Sequence, residues 1–119
     1  YCMLPAMARV RHAFREESLK ELEEYANSCP LNKIEWAGDR KLGIVTSGIS
    51  YQYAKEVFGD SASILKLALT NPMPRALITE FCSAVDKIYV IEEGEPFIEN
   101  TVRSLGFACI GKAKFPILG

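Results

Sequence analysis

Between residues 41 and 119, short apolar runs alternate with amphipathic stretches, and this rhythm constrains the fold more than any other feature of the chain. Leu42-Gly43-Ile44-Val45-Thr46 reads as a strand buried on both faces. Ser47-Gly48 follows, and a helix is expected from about Ser50 to Phe58. Its apolar face would be Tyr53, Ala54, Val57 and Phe58, with Gly59 at the C-terminal cap. Ser63 to Leu69 is the next strand. After Asn71-Pro72-Met73, Pro74 can open a helix, because the first helical N–H needs no partner. That helix buries Leu77, Ile78, Phe81, Cys82 and Val85. Ile88 to Ile91 is the third strand. Pro96 then starts a helix with Phe97, Ile98, Thr101, Val102 and Leu105 on one face, Gly106 stops it, and Phe107 to Ile110 is a fourth short strand. Strand and helix alternate three times. The expectation is an α/β fold of three α/β/α layers, a mostly parallel sheet covered on both faces, with right-handed crossovers.

Residues 1–40 differ in character. They are charge-rich and irregular, and are expected to form an interdomain linker with one helix and a possible edge strand, leaving 41–119 as the α/β domain. Glu16 to Ala26 reads as the helix, with a thin apolar stripe of Leu19, Leu22, Tyr25 and Ala26 and a Glu16–Lys20 pair four apart. Such a thin stripe suits a helix laid on something else. Asn27-Ser28-Cys29-Pro30 ends it, since Pro disfavours helical geometry in the residue before it. Lys33-Ile34-Glu35-Trp36 is a candidate short strand.

Composition removes several functions. The 14 basic and 15 acidic residues nearly cancel, against nucleic-acid binding. No apolar run approaches the roughly 20 residues of a membrane helix. The start, Tyr1-Cys2-Met3-Leu4-Pro5, lacks the pattern of a signal peptide. Both ends have the look of cuts in a longer protein. Cys2, Cys29, Cys82 and Cys109 are too scattered for a zinc site or an iron–sulfur cluster, and are expected as free, partly buried thiols in a reducing cytoplasm.

In an open parallel sheet, ligands bind beyond the carboxyl ends of the strands. Three stretches map there. Ser47, Gly48, Ile49 and Ser50 could hold an anion at a helix N-terminus, or be a plain turn with a Ser cap; the glycine-rich phosphate loops are absent. Asn71-Pro72-Met73-Pro74 suits a shaped loop at a domain contact. Glu92, Glu93 and Glu95 could bind a metal, act as acid or base, or favour the following helix N-terminus. No His or Asp stands near to complete a metal site, and Glu92, nearest the buried strand, is the one that a solvated-loop account explains least. In the first part, Arg9, Arg11, His12 and Arg15 could grip an anion or an acidic neighbouring domain. One histidine without a matching Ser or Cys context does not make a hydrolase triad. No catalytic and no metal-binding residue is assigned.

The chain resembles the middle segment of the large (alpha) subunit of indolepyruvate:ferredoxin oxidoreductase, in the thiamine diphosphate-dependent 2-oxoacid:ferredoxin oxidoreductase family. The resemblance covers nearly the whole chain. It rests on Leu4-Pro5 with Ala8-Arg9-Val10-Arg11-His12, on Ser28-Cys29-Pro30-Leu31-Asn32, and above all on Leu42 to Tyr51, with its Thr-Ser-Gly-Ile-Ser-Tyr run, and on Val90 to Phe97, with Glu-Glu-Gly-Glu-Pro-Phe. It implies a fold like the transketolase C-terminal domain, a mixed sheet of about five strands with an antiparallel edge strand near Ile34 to Trp36. It implies a parent enzyme that oxidatively decarboxylates aryl 2-oxoacids to acyl-CoA and reduces ferredoxin, using thiamine diphosphate, Mg and iron–sulfur (4Fe-4S) clusters. The family's diphosphate and cluster motifs are absent from this chain, so no cofactor is expected in it. Its implied role is assembly: contact with other domains of the subunit through Glu92, Glu93, Arg9, Arg11 and His12, within a homo-oligomer that also carries a small beta subunit and meets ferredoxin. The alternative is a small-ligand or anion (CoA-like) binding module built on the turn at 46–50.

Overall fold

The computed structural model describes residues 4–113; Cys2 and the two chain ends lie outside them. The elements are α1 (Pro5–Ser28), β1 (Lys33–Glu35), β2 (Leu42–Ser47), α2 (Ser50–Phe58), β3 (Ser63–Leu67), α3 (Arg75–Ser83), β4 (Lys87–Ile91) and α4 (Phe97–Ser104). The expected alternation is present. Both proline-opened helices begin directly after their prolines, Pro74 and Pro96.

The sheet order is β1-β3-β2-β4. β2 runs parallel to β3 and β4, with Val45 opposite Leu65 on one side and Val90 on the other. β1 is the antiparallel edge, pairing Ile34 with Leu65. The sheet is therefore mixed, as expected, but the described residues hold four strands. The expected fifth is reduced to a single bridge from Tyr89 to Ile110. There Val90 N–H donates to Ile110 C=O and Ile110 N–H to Ile88 C=O, both at 2.9 Å.

Topology divides the helices between faces. From β2 the chain steps one way to β3, then back across β2 to β4. Fixed crossover handedness therefore puts α2 on one face and α3 on the other. Period-two alternation does the rest. Val45, Leu65, Leu67, Ile88 and Val90 meet Ile78, Phe81, Ile98 and Val102 of α3 and α4 in the larger core. Ile44 and Ile64 meet Ala54 of α2 in a smaller one. Fully burying a side chain such as Phe81 stabilises by about 1.5–3 kcal/mol.

Two expectations about helices need correction. α2 buries Ala54 and half-buries Phe58, whereas Tyr53 is 61% exposed and Val57 75% exposed. Among the described residues nothing packs over these two, because α2 is the helix that covers this sheet face. With Tyr89 and Ile91 they edge an apolar groove of about 230 Å³. α1 starts at Pro5, eleven residues before Glu16. The proline rule that located α3 and α4 applies here too: Pro5 opens the helix.

The segment after α1 is stapled to the sheet by a buried asparagine. Asn32 Oδ1 accepts from the N–H groups of Ala68 and Leu69 at 2.8 and 2.9 Å, and Nδ2 donates to Ala26 C=O at 2.8 Å. Trp36, past β1, stacks on Phe81 at 5.5 Å, with the Arg40 guanidinium 3.9 Å above its ring. On the opposite face, Glu35 accepts from the Tyr51 hydroxyl and from Lys55 Nζ at 2.9 Å, tying the edge strand to α2.

Candidate functional site

The loops after β2, β3 and β4 meet at the carboxyl ends of the strands. Ser47, Gly48, Thr70, Met73, Glu92 and Glu93 surround a hollow of about 160 Å³. Beyond Phe97 it adjoins a larger one of about 590 Å³ bordered by Glu23, Asn71, Arg75 and Thr101. All three stretches singled out in the sequence thus reach one crevice. Phe97 stands between the two hollows, 68% exposed, although its spacing had placed it on the buried face of α4. It is the first residue of α4, about 100° round the helix from Ile98, which takes the core position.

Gly48 takes φ +57°, a left-handed conformation that admits glycine without strain, and this turns the chain from β2 into α2. Ser47 and Gly48 line the crevice. Ile49 and Ser50 do not: Ile49 is exposed and Ser50 is buried in the first turn. Ser50 is not the cap. The N-cap is Ile49, without a side-chain hydrogen bond, and the Tyr51 and Gln52 amides donate to the carbonyls of Gly48 and Ile49. The walls carry Glu23, Glu92 and Glu93 against one cation, Arg75.

Glu92 has a structural task. Strand alternation points it to the α4 side, and its two carboxylate oxygens accept from the N–H groups of Ile98 and Glu99, each at 2.9 Å. The N-cap of α4 is Pro96, which offers no side-chain acceptor. A carboxylate from the end of β4 fills the place, satisfying two first-turn amides and meeting the positive end of the helix dipole. Lys112 Nζ donates to the Glu92 carbonyl. Glu93 and Glu95 are exposed beside it.

Sequence reading missed Glu99, which is buried at 7% exposure. Arg103, one turn on, donates to Oε1 from Nη2 at 2.8 Å and from Nε at 3.1 Å; the Lys112 amide donates to Oε2 at 2.8 Å. The Lys112 amide first, and the Arg103 guanidinium after it, hold the Glu99 carboxyl below the usual carboxylate range against the opposing effect of burial. Gly111 is required here, because a Cβ would lie 2.2 Å from Glu99 Oε2. The Glu99–Arg103 spacing of four was the available signal; nothing local announces Gly111.

Arg9, Arg11 and His12 are exposed on the N-terminal half of α1. They lie roughly 16–21 Å along the helix from Glu23, the α1 residue at the crevice, so the structure does not bring them to it. His12 Nε2 is 3.8 Å from Glu16 Oε1. Cys29, Cys82 and Cys109 are free, and burial pushes the Cys82 thiol up to about 12, so it stays protonated and poorly nucleophilic. Among the described residues, no three His, Cys, Asp or Glu side chains are grouped to hold a metal ion. These residues fit neither an iron–sulfur cluster nor the metal of a diphosphate cofactor. None of the described helices is long and apolar enough to cross a membrane.

Fold and crevice together define an open-sheet α/β domain with its loops gathered at the strand carboxyl ends. The chain is 38% identical over 109 residues to the indolepyruvate oxidoreductase subunit IorA of Archaeoglobus fulgidus, covering 89% of this chain and 17% of that subunit. It is 35% identical over 108 residues to the Thermococcus kodakarensis IorA and 38% over 103 to that of Methanothermobacter thermautotrophicus, covering 87% and 83% of this chain and again 17% of each subunit. No protein-family model and no solved structure matches it. The chain belongs, as a segment, with the IorA subunits of indolepyruvate oxidoreductase, and it spans about a sixth of their length.

Proposed function

We propose that this chain is a non-catalytic assembly domain of an indolepyruvate:ferredoxin oxidoreductase large subunit, of the transketolase C-terminal type. The observation that carries the proposal is the match to IorA subunits over 89% of the chain and only 17% of the subunit. The described residues also lack a grouped set of metal-binding side chains, and their crevice opens outward at the strand ends. In this role the parent enzyme decarboxylates an aryl 2-oxoacid oxidatively to an acyl-CoA and reduces ferredoxin, in the cytoplasm. Thiamine diphosphate, Mg and iron–sulfur clusters are held by other domains, and a small beta subunit completes a homo-oligomeric assembly. Within residues 1–40, α1 connects the domain to its neighbour, while β1 is already the edge strand of the sheet. The crevice wall frames the active site: Glu92 keeps α4 in place, while exposed Glu93 and Phe97 face the neighbouring domain.

The test is calorimetric titration of the chain with thiamine diphosphate and Mg. No heat of binding is expected at micromolar concentrations, and tight binding would overturn the proposal. A second reading, a CoA-like or other anion at Ser47 to Ser50, is favoured by the volume of the adjoining hollow and by Arg75 on its wall, and opposed by three carboxylates around it. Unchanged CoA affinity in an Arg75→Ala variant, or none in the parent chain, would remove it.

A further inference from the structure

Half of α1 stands clear of the sheet. The helix has 24 residues, about 36 Å at 1.5 Å per residue, and the protein measures 54 × 31 × 25 Å. Its Cα radius of gyration is 16.5 Å, against about 13.5 Å for a compact chain of this length. At about 100° per residue, Leu4, Met7, Val10, Phe14, Leu22 and Tyr25 fall within one band of about 120°. All six are exposed, Val10 and Phe14 at 73% each. The packed side of α1 is a different one: Leu19 and buried Ala26 lie about 100° round the helix, and α1 rests on α3 there. So the stripe does not serve the core that the described residues form.

Isolated exposed apolar residues are ordinary, but Met7, Val10 and Phe14 stand one turn apart on one face, and Leu22 and Tyr25 resume it beyond Ser18 and Glu21; such a ridge marks an interface. From the assembly role proposed above, we infer that this ridge docks on an apolar surface of the remaining polypeptide of the IorA-type subunit. Three observations support that occupant. The relatives carry about five sixths of their length outside the matched segment. The ridge begins in the first turn of α1 and continues past its middle. From Pro5 to Arg15 the helix has arginines at 9, 11 and 15 and no acidic residue, with Arg11 within the ridge and Arg15 at its border. The docking surface therefore carries carboxylates along the edge that meets Arg15. Arg9 and His12 lie on the far side of the helix from the ridge and are not part of the contact.

Limited trypsin digestion tests the inference, since Arg9, Arg11 and Arg15 are cleavage sites on the helix. Cleavage there is expected to be at least about tenfold slower in the full-length polypeptide than in the 119-residue chain, and a Val10→Glu/Phe14→Glu variant of the full-length polypeptide is expected to lose that protection. In the 119-residue chain the same pair is expected to leave the Tm within about 1 °C and the sedimentation of a monomer unchanged. Equal cleavage rates in both contexts would overturn the inference. So would a dimer of the 119-residue chain that the double substitution splits, since the occupant would then be a second copy. Thiamine diphosphate binding by the chain would sink the assembly role whatever trypsin shows; rapid cleavage without such binding sinks only the docking ridge.

Discussion

Two charged regions of this molecule look alike as sequence and differ in what the fold does with them. The basic run at Arg9 to Arg15 and the acidic run at Glu92 to Glu99 both resemble domain contacts. In the structure the first is exposed on a projecting helix, and its most telling feature is the apolar ridge beside it. In the second, Glu92 and Glu99 are turned inward, each accepting two or more hydrogen bonds within the chain. A charge at the end of a buried strand faces helix amides that have lost water, so it is satisfied locally. A charge on the exposed face of a helix has water and no such demand. Position relative to unsatisfied backbone, more than charge itself, separates a structural carboxylate from an interface.

The contrast can be broken most forcefully at Glu99. Truncation strands the Lys112 amide and the Arg103 guanidinium around a buried gap. Glu99→Ala is expected to destabilise by about 2–4 kcal/mol in urea denaturation, and Glu93→Ala by no more than about 0.5 kcal/mol. Equal effects would show that the acidic run is a uniform surface feature. Gly111→Ala probes the same lock from the opposite side: its methyl must push the Glu99 carboxylate off its partners, at a cost of about 1–3 kcal/mol.

Glu92 comes next. Losing a carboxylate that caps two amides of α4 is expected to cost about 1–2 kcal/mol, and Glu92→Ala should speed hydrogen exchange at the Ile98 and Glu99 amides ahead of the rest of the helix. Retained protection at those amides would show that Pro96 and the sheet position α4 unaided.

How much of this was legible follows from the range of the interactions. Strand and helix positions rest on local periodicity and on prolines, so Ser50 to Phe58 is found at its bounds and α3 and α4 open where Pro74 and Pro96 place them. Tyr53 and Val57 of α2 are apolar at helical spacing, yet none of the described residues covers them; whether a face is used depends on which way the chain crosses the sheet. The crevice could be located from the rule for strand ends. The following helix N-terminus was among the readings offered for Glu92, Glu93 and Glu95, but that Glu92 alone fills it depends on amides six and seven residues away, and the task of Glu99 depends on Gly111 and Lys112, brought round by the return of the chain to β4. Asn32 shows the same limit, its partners being 36 and 37 residues on.

Acid should sharpen the contrast with a smaller effect. The Lys112 amide and Arg103 lower the folded-state value of Glu99; the Tyr51 hydroxyl, then Lys55, lower that of Glu35. A depressed carboxylate adds stability that is present above its unfolded value of about 4.5 and lost as pH falls through the folded value. Urea midpoints are therefore expected to fall steadily below pH 4.5, and more shallowly in Glu99→Gln, which has no carboxylate to take up that proton. Parallel curves for the two proteins would remove Glu99 from the acid response.

The smallest effect belongs to the projecting half of α1, and its smallness is the point. Val10 is 73% exposed and contributes nothing to either core cluster, so Val10→Ser should change the stability of the 119-residue chain by less than about 0.5 kcal/mol. The value is close to what any exposed helical position gives, since the difference in helix propensity between Val and Ser is a few tenths at most. A loss near 2 kcal/mol in urea denaturation would mean that the ridge already rests against something within the chain, and both regions compared here would then be internal. With Glu99→Ala costly and Val10→Ser neutral, the basic end faces outward while the acidic end holds the domain together.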